Sequence, residues 1–314
     1  MTPDTLAPLR NRLVDSFGCA LTVDVEEWYH TCMVPDYVDP ARRPVLTDEL
    51  DRLLPELLEL LDRVSAKATF FILGEVAARV PKRVREIVAA GHEVGSHSYL
   101  HLRSEWQKLG RWRRDVEASK ALLEDISGAP VLGFRAPEWS LRRVENPRLE
   151  ELAALGFVYD SSLTPSLGSG DRRNPLWASR LAWPSGNELF EFPPLTYAGR
   201  LRLPAAGWTA RRLAPRTIVA AAEAHRSRGG LPVLVVHPWE LSERPTPGVL
   251  TGLARFVHET GRDGFRSRFE DIIRGLACQT MTAAAGTLVT NARFRKGLPP
   301  TLEMPRGTFT LGPD

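Results

Sequence analysis

Short apolar runs alternate with longer stretches of helical periodicity along most of the 314-residue chain. That alternation restricts the fold to α/β architectures built on a largely parallel sheet. Residues 20–25 (ALTVDV), 68–73 (ATFFIL), 92–96 (HEVGS) and 231–236 (LPVLVV) read as strands, with shorter ones at 131–134 and 157–159. Between them, Leu50, Leu53, Leu54, Leu57, Leu58 and Leu61 recur at helical spacing, with Thr47 or Asp48 placed to cap the helix. Pro55 is compatible with only the first turn of that helix, which leaves its start open. Further helices are expected from Pro81 to Ala90, closed by Gly91, up to Gly128, after Asn146-Pro147, and over residues 215–228, 250–259 and 265–276. Residues 162–208 are rich in Pro, Gly and Ser, with short β-like pieces such as LFEFPPL.

Periodicity alone does not separate a barrel from an open sheet. The polar residues favour the barrel: Asp24, His97, Arg135 and His237 each stand at, or just beyond, the C-terminal end of an expected strand, the face that carries active sites in (β/α) barrels. Composition narrows the function classes. Hydrophobic residues at 43% and charged residues at 25% fit a globular chain, and a net charge of +3 with scattered arginines gives no nucleic-acid footprint. Cys19, Cys32 and Cys278 are too few and too widely spaced for a disulfide framework or a thiolate zinc site. No window reaches the roughly 18 apolar residues of a membrane span, and the first residues lack the pattern of a signal peptide, so a cytoplasmic location is expected.

Four local constellations carry chemistry. In His97-Ser98-Tyr99-Leu100-His101 two imidazoles stand at i and i+4, on one face of a helical turn, and both can reach one metal ion. The same spacing also fits a pair of core or surface histidines. In Thr22-Val23-Asp24-Val25-Glu26-Glu27-Trp28, strand alternation puts Asp24 and Glu26 on one face and Val25 and Glu27 on the other. Phe134-Arg135-Ala136-Pro137-Glu138-Trp139 supplies an arginine suited to pairing a buried carboxylate. Val235-Val236-His237-Pro238-Trp239-Glu240 ends an apolar strand on a histidine suited to general acid work. Each admits a structural role singly. Together they supply what metal-assisted hydrolysis requires.

These segments resemble the polysaccharide deacetylase family, carbohydrate esterase family four, in consistent order from TVDVE through ATFFILG, GHEVGSHSYLH and FRAPEW to VVHPWEL. DVEEW, RAPEW and HPWE look most like the subgroup associated with bacterial exopolysaccharide systems. The resemblance implies a distorted (β/α) barrel of about seven strands with a C-terminal helical extension. It implies one domain over residues 1–276, the extension starting near 241, and a tail over 277–314. It also implies hydrolytic removal of N-acetyl groups from the amino sugars of a glycan or its precursor.

By position, Asp24 would be the general base, His97 and His101 metal ligands, Arg135 the group that orients Asp24, and His237 the acid that protonates the leaving amine. A backbone N–H near Glu138 would help bind the oxyanion, Asp160 in GFVYDSS would hold His237 in one tautomer, and Trp139, Trp208 and Trp239 would offer stacking surfaces for a sugar ring. Many relatives carry a second aspartate as ligand where this chain has Val25; Glu26, one position on, is the candidate replacement. Two imidazoles and a carboxylate suit zinc, and nickel, cobalt or iron accept the same donors. His92 is expected to be structural, and His30, His225 and His258 have no supporting context. Two rivals remain open at this stage: a hydrolase of a small allantoin-like amide on the same barrel, and a non-catalytic glycan-binding relative. The oligomeric state is not readable from the sequence.

Overall fold

A computed structural model of the chain describes residues 18–31, 49–166, 169–197, 202–228, 230–243, 250–285 and 301–303. Cys32, the cap candidates Thr47 and Asp48, and residues 286–300 and 304–314 of the expected tail lie outside the described residues. The strands in chain order are β1 (Cys19–Val25), β2 (Thr69–Ile72), β3 (Glu93–Ser96), β4 (Gly133–Phe134), β5 (Tyr159–Asp160), β6 (Ser179–Ala182), β7 (Glu188–Glu191), β8 (Val233–Val236), β9 (Cys278–Gln279) and β10 (Thr301–Glu303). The helices are α1 (Leu50–Arg63), α2 (Gly74–Arg79), α3 (Pro81–Ala89), α4 (Leu109–Ser127), α5 (Arg148–Ala154), α6 (Gly207–Arg212), α7 (Pro215–Arg226), α8 (Gly252–Glu259) and α9 (Phe265–Arg274).

The strands form one curled sheet in the order β10-β6-β7-β5-β4-β3-β2-β1-β8, with β9 also paired to β1. Every pairing is parallel except β6 with β7. The extra strands beyond the expected seven are edge pieces of two to four residues. Past β7 the chain turns toward the far edge, and the Leu195 N–H donates to the Val233 carbonyl of β8 at 2.9 Å. The sheet is thus bent round into a half-open barrel, and the C-terminal ends of β1, β3, β4, β5 and β8 share one mouth.

The packing explains two departures from the sequence pattern. Pro55 lies in the second turn of α1, not the first. The N–H it lacks would have served the carbonyl of Asp51, which is on the exposed side, while Leu50, Leu53, Leu54, Leu57, Leu60 and Leu61 are all buried and hold the helix in place. The N-terminus of α1 is capped from outside the helix. The Glu27 carboxylate accepts from the backbone N–H groups of Glu49 (2.9 Å) and Leu50 (3.1 Å), and Arg79 donates to it at 3.0 Å. An anion at a helix N-terminus satisfies donors that the helix itself cannot.

The packed chain also runs past residue 276. Cys278 pairs in register with Cys19, and Met281, Ala284 and Ala285 are buried. Cys19 and Cys278 are both free thiols. No described helix is long and apolar enough to cross a membrane.

Beneath the mouth, Gly95 has no room for a side chain: a Cβ there would stand 2.6 Å from the Phe71 ring. That ring in turn lies 4.4 Å below the Arg135 guanidinium. Deeper still, Asp160 and Glu191 form a buried carboxyl pair. Burial raises Asp160 to about 6, against the pull of its hydrogen bonds, and burial together with the Asp160 charge raises Glu191 well above the usual range. The folded state therefore holds these protons more tightly than the unfolded chain, whose carboxyls titrate near 4. Stability should fall as pH rises from about 4 to beyond 6. Glu191→Gln keeps the acceptor for the Leu163 N–H, now 3.0 Å from Glu191, and removes one ionisation. Denaturant midpoints for this variant should decline less between pH 5 and pH 8 than those of the parent. An identical decline would show that the pair does not control the pH dependence.

Candidate active site

β1 delivers Asp24 to the mouth, and β4 delivers Arg135 directly after its last residue. The Arg135 guanidinium donates from Nη1 to Asp24 Oδ1 at 2.6 Å and to Thr22 Oγ1 at 2.8 Å. Its Nε and Nη2 donate to the Ser161 carbonyl and hydroxyl at 3.1 and 2.9 Å. Both residues are almost fully buried, so the charge pair stands in a low-dielectric setting with its donors satisfied. One carboxylate oxygen of Asp24 is fixed; the other lies 3.9 Å from His237 Nε2.

Glu26 reaches the same mouth, by a different route from simple alternation. β1 ends at Val25, and a tight turn follows in which the Glu26 N–H donates to the Asp24 carbonyl at 3.0 Å. The turn swings the Glu26 carboxylate to 2.7 Å from His101 Nε2 and 3.7 Å from His97 Nε2. Glu26, His97 and His101 each offer a ligand atom, and these atoms lie within 4.8 Å of one another. His97 Nδ1 is 2.7 Å from the Arg135 carbonyl, which places its proton there and turns the Nε2 lone pair toward the cluster. Burial alone would raise Glu26, but the His101 and His237 imidazoles hold its carboxyl well below the usual range. Val25 points into the core and Glu27 caps α1, so neither joins the cluster.

His237 follows β8 and is held by the turn it opens. Glu240, three residues on, accepts from the His237 backbone N–H at 3.0 Å and contacts its Nδ1 at 2.9 Å. Burial by itself would lower the imidazole; Glu26, Glu240 and Asp24 together raise it to about 9. Glu240 therefore stands at His237 Nδ1, the place expected of Asp160. Asp160 stands at the end of β5, several strands away in the sheet order, and its oxygens are taken by the Ser162 hydroxyl (2.5 Å) and N–H (3.2 Å). The i,i+3 spacing in HPWE, opened by a proline, was the local signal for Glu240.

A cavity of about 450 Å³ covers this cluster. Glu138, Trp139, Trp208 and Trp239 all line it, as do His30, His258 and Arg211. Trp239 stacks on His258 (4.1 Å, 15°) and donates from Nε1 to Glu26 Oε1 at 3.4 Å. His30 accepts the Glu27 N–H at 2.9 Å, and its ring lies 5.6 Å from that of His101. Arg211 is buried against the end of α8, donating to the Val257 and His258 carbonyls at 2.7 Å each, with Nε 3.3 Å from Glu240 Oε1. None of His30, His258 or Arg211 carries a local sequence signal, because each is brought in by tertiary packing. His92 accepts the Ala68 N–H at 3.1 Å beneath the sheet, and His225 stacks on Trp177 away from the mouth.

Residues 45–159 match the family profile described as polysaccharide deacetylase. Over that segment the chain is similar to polysaccharide deacetylases. Residues 161–285 match a second profile, a domain of unknown function designated DUF3473. The site draws on both matched segments: His97, His101 and Arg135 lie in the first, His237 and Arg211 in the second, and Asp24 and Glu26 precede both.

The chain is 31% identical to a peptidoglycan deacetylase of Helicobacter pylori over 148 residues, 46% of this chain and 48% of that protein. It is 33% identical to a chitooligosaccharide deacetylase of Sinorhizobium fredii over 132 residues, 42% of this chain and 51% of that protein. The chain thus spans about half the length of these curated relatives. A crystal structure from Mycobacterium smegmatis, assigned as a polysaccharide deacetylase, superposes with a TM-score of 0.58 at 25% identity, covering 93% of this chain and 96% of that one.

Proposed function

We propose that the chain is a metal-dependent hydrolase that removes N-acetyl groups from the amino sugars of a polysaccharide, an oligosaccharide or its precursor. One observation carries the reading: a carboxylate fixed by an arginine, a histidine fixed by a glutamate, and a Glu-His-His cluster all face one cavity. The donor set fits a divalent cation, because two imidazole nitrogens and one carboxylate, with the His97 tautomer already set by Arg135, leave room for exchangeable ligands. Zinc suits it, and nickel, cobalt or iron would accept it. When bound, the cation would polarise the amide carbonyl and acidify water.

The chain's own residues do the rest. Asp24, with Oδ1 held by Arg135, keeps Oδ2 to take a proton from the attacking water. His237, with Nδ1 held by Glu240, directs Nε2 into the cavity, where it delivers a proton to the departing amine. Trp139 and Trp208 line the cavity and are the residues placed to contact the sugar, whereas Trp239 is already stacked on His258 and His237.

The direct test is acetate release from defined N-acetylglucosamine and N-acetylgalactosamine oligomers, with and without chelator. Release that stops with chelator and returns with added zinc is expected. Release indifferent to chelator removes the metal from the reading, and no release from any metal-supplemented reaction removes the activity.

A further inference from the structure

Among the described residues, seven non-glycine residues have positive φ, and five of them, Ser98, His101, Glu138, Trp139 and Arg142, lie in the two loops that follow β3 and β4. Left-handed backbone is costly for residues with a Cβ and persists only where surrounding contacts enforce it. Around Arg142 (φ 59) those contacts are explicit. Its N–H donates to the Trp139 carbonyl at 3.2 Å, and its carbonyl accepts from Asn174 Nδ2 at 2.8 Å. Asn174 is buried and also donates to the Thr164 carbonyl at 3.0 Å, so it is itself anchored. Just before, the Ser140 hydroxyl accepts the Ser104 N–H at 2.9 Å. The loop is rigidly built, and Arg142 lines the cavity.

The charges of the cavity do not require this arginine. Arg135 is spent on Asp24, Arg103 on Glu105 and Glu138, and Arg211 on Glu240 and two carbonyls. The lining carboxylates are likewise engaged: Asp24 by Arg135, Glu26 by the imidazoles and Glu138 by Arg103. Among the described residues Arg142 makes neither an ion pair nor a side-chain hydrogen bond. A half-buried guanidinium with no internal partner, held by a strained backbone at the wall of a binding cavity, is complementary to an anion, which it can grip through two parallel N–H donors.

We infer that Arg142 is a specificity residue that binds an anionic substituent of the substrate, a carboxylate or a phosphate, so that the glycan acted on is acidic and not neutral. The inference rests on the deacetylase reading and narrows its substrate class.

The test uses three probes that all carry an N-acetylglucosamine unit: neutral chitotetraose, a hyaluronan tetrasaccharide bearing glucuronate carboxylates, and uridine diphosphate N-acetylglucosamine. Arg142→Asn is the informative variant, because asparagine tolerates the left-handed backbone while removing the charge. Arg142→Lys keeps the charge without the planar fork. The parent should favour at least one anionic probe over chitotetraose by about 10-fold or more in kcat/KM, mainly through KM, as one charged hydrogen-bonding contact is worth. That ratio should collapse toward one in Arg142→Asn and recover in part in Arg142→Lys.

Which anionic probe is favoured separates carboxylate from phosphate. A parent that treats all three alike, or an Arg142→Asn protein that keeps the preference, overturns the inference. If no probe is hydrolysed, the deacetylase reading fails separately, and calorimetric binding of the same probes decides this one. Tighter anionic binding that Arg142→Asn abolishes supports it, and equal or absent binding refutes it.

Discussion

Asp24→Asn is expected to lower acetate release by about 10²-fold or more, and His237→Ala to do the same, the usual scale for a general base or acid. Asparagine retains an oxygen at the position where Arg135 Nη1 donates at 2.6 Å, so the guanidinium keeps a hydrogen-bond partner. What the variant loses is the second oxygen as a proton acceptor. Asp24 Oδ2 and His237 Nε2 lie 3.9 Å apart and line the same cavity, so both can reach one bound amide. His237→Ala removes a side chain held at the barrel mouth by Glu240 and stacked on Trp239 at 5.5 Å, not a piece of the core. Both variants should therefore keep the far-ultraviolet circular dichroism of the parent. Asp24→Asn also leaves Arg135 with one fewer anion in a buried site, so a lower melting temperature is expected there. A folded variant of either kind that releases acetate at a near-parental rate would take that residue out of the mechanism.

The barrel was legible because its signals are local. Apolar strand residues followed by a polar residue at the strand end mark β1, β3, β4 and β8, and the mouth collects those polar residues because the strands run parallel. Glu26 was legible for a reason that holds only in part: alternation put it beside Asp24, but the strand stops at Val25 and a two-residue turn does the positioning. Glu27 shows the opposite case. The sequence places it off the Asp24 face, yet nothing local says that its carboxylate closes the N-terminus of α1, 22 residues on. Asp160 has its oxygens on the Ser162 hydroxyl and N–H, whereas the turn after β8 brings Glu240 to His237 from the same segment, a contact that local spacing and not the family pattern announces. Arg211 shows what local reading misses altogether. In sequence it is one half of an Arg-Arg pair in a short helix; only the packing of α6 against the end of α8 buries it beside Glu240.

The last expected result concerns the metal itself. Purified parent protein, dialysed against zinc, should hold about one equivalent, and Glu26→Ala should bind it at least about tenfold more weakly. The argument is one of ligand count. His97 and His101 face the cluster from the loop after β3, but two imidazoles seldom complete a catalytic site, which usually has a third protein ligand. Val25, where relatives of the resembling family carry that ligand, is fully buried among leucines and valines and offers no donor. Glu27 is engaged with the backbone of α1 and with Arg79. Asp24 is tied to Arg135. Glu26 remains, 2.7 Å from His101 Nε2 and 3.7 Å from His97 Nε2. Metal content alone can mislead if the variant unfolds, so a second readout is needed. A ligand that binds only the folded state raises stability by about 2.7 kcal/mol at a hundredfold excess over Kd and by about 1.4 kcal/mol at a tenfold excess, so at the same zinc concentration the melting temperature of Glu26→Ala should rise by about half as much as that of the parent, or less. A Glu26→Ala protein that retains stoichiometric zinc, with the same affinity and the same thermal shift, would show that the third ligand is another residue.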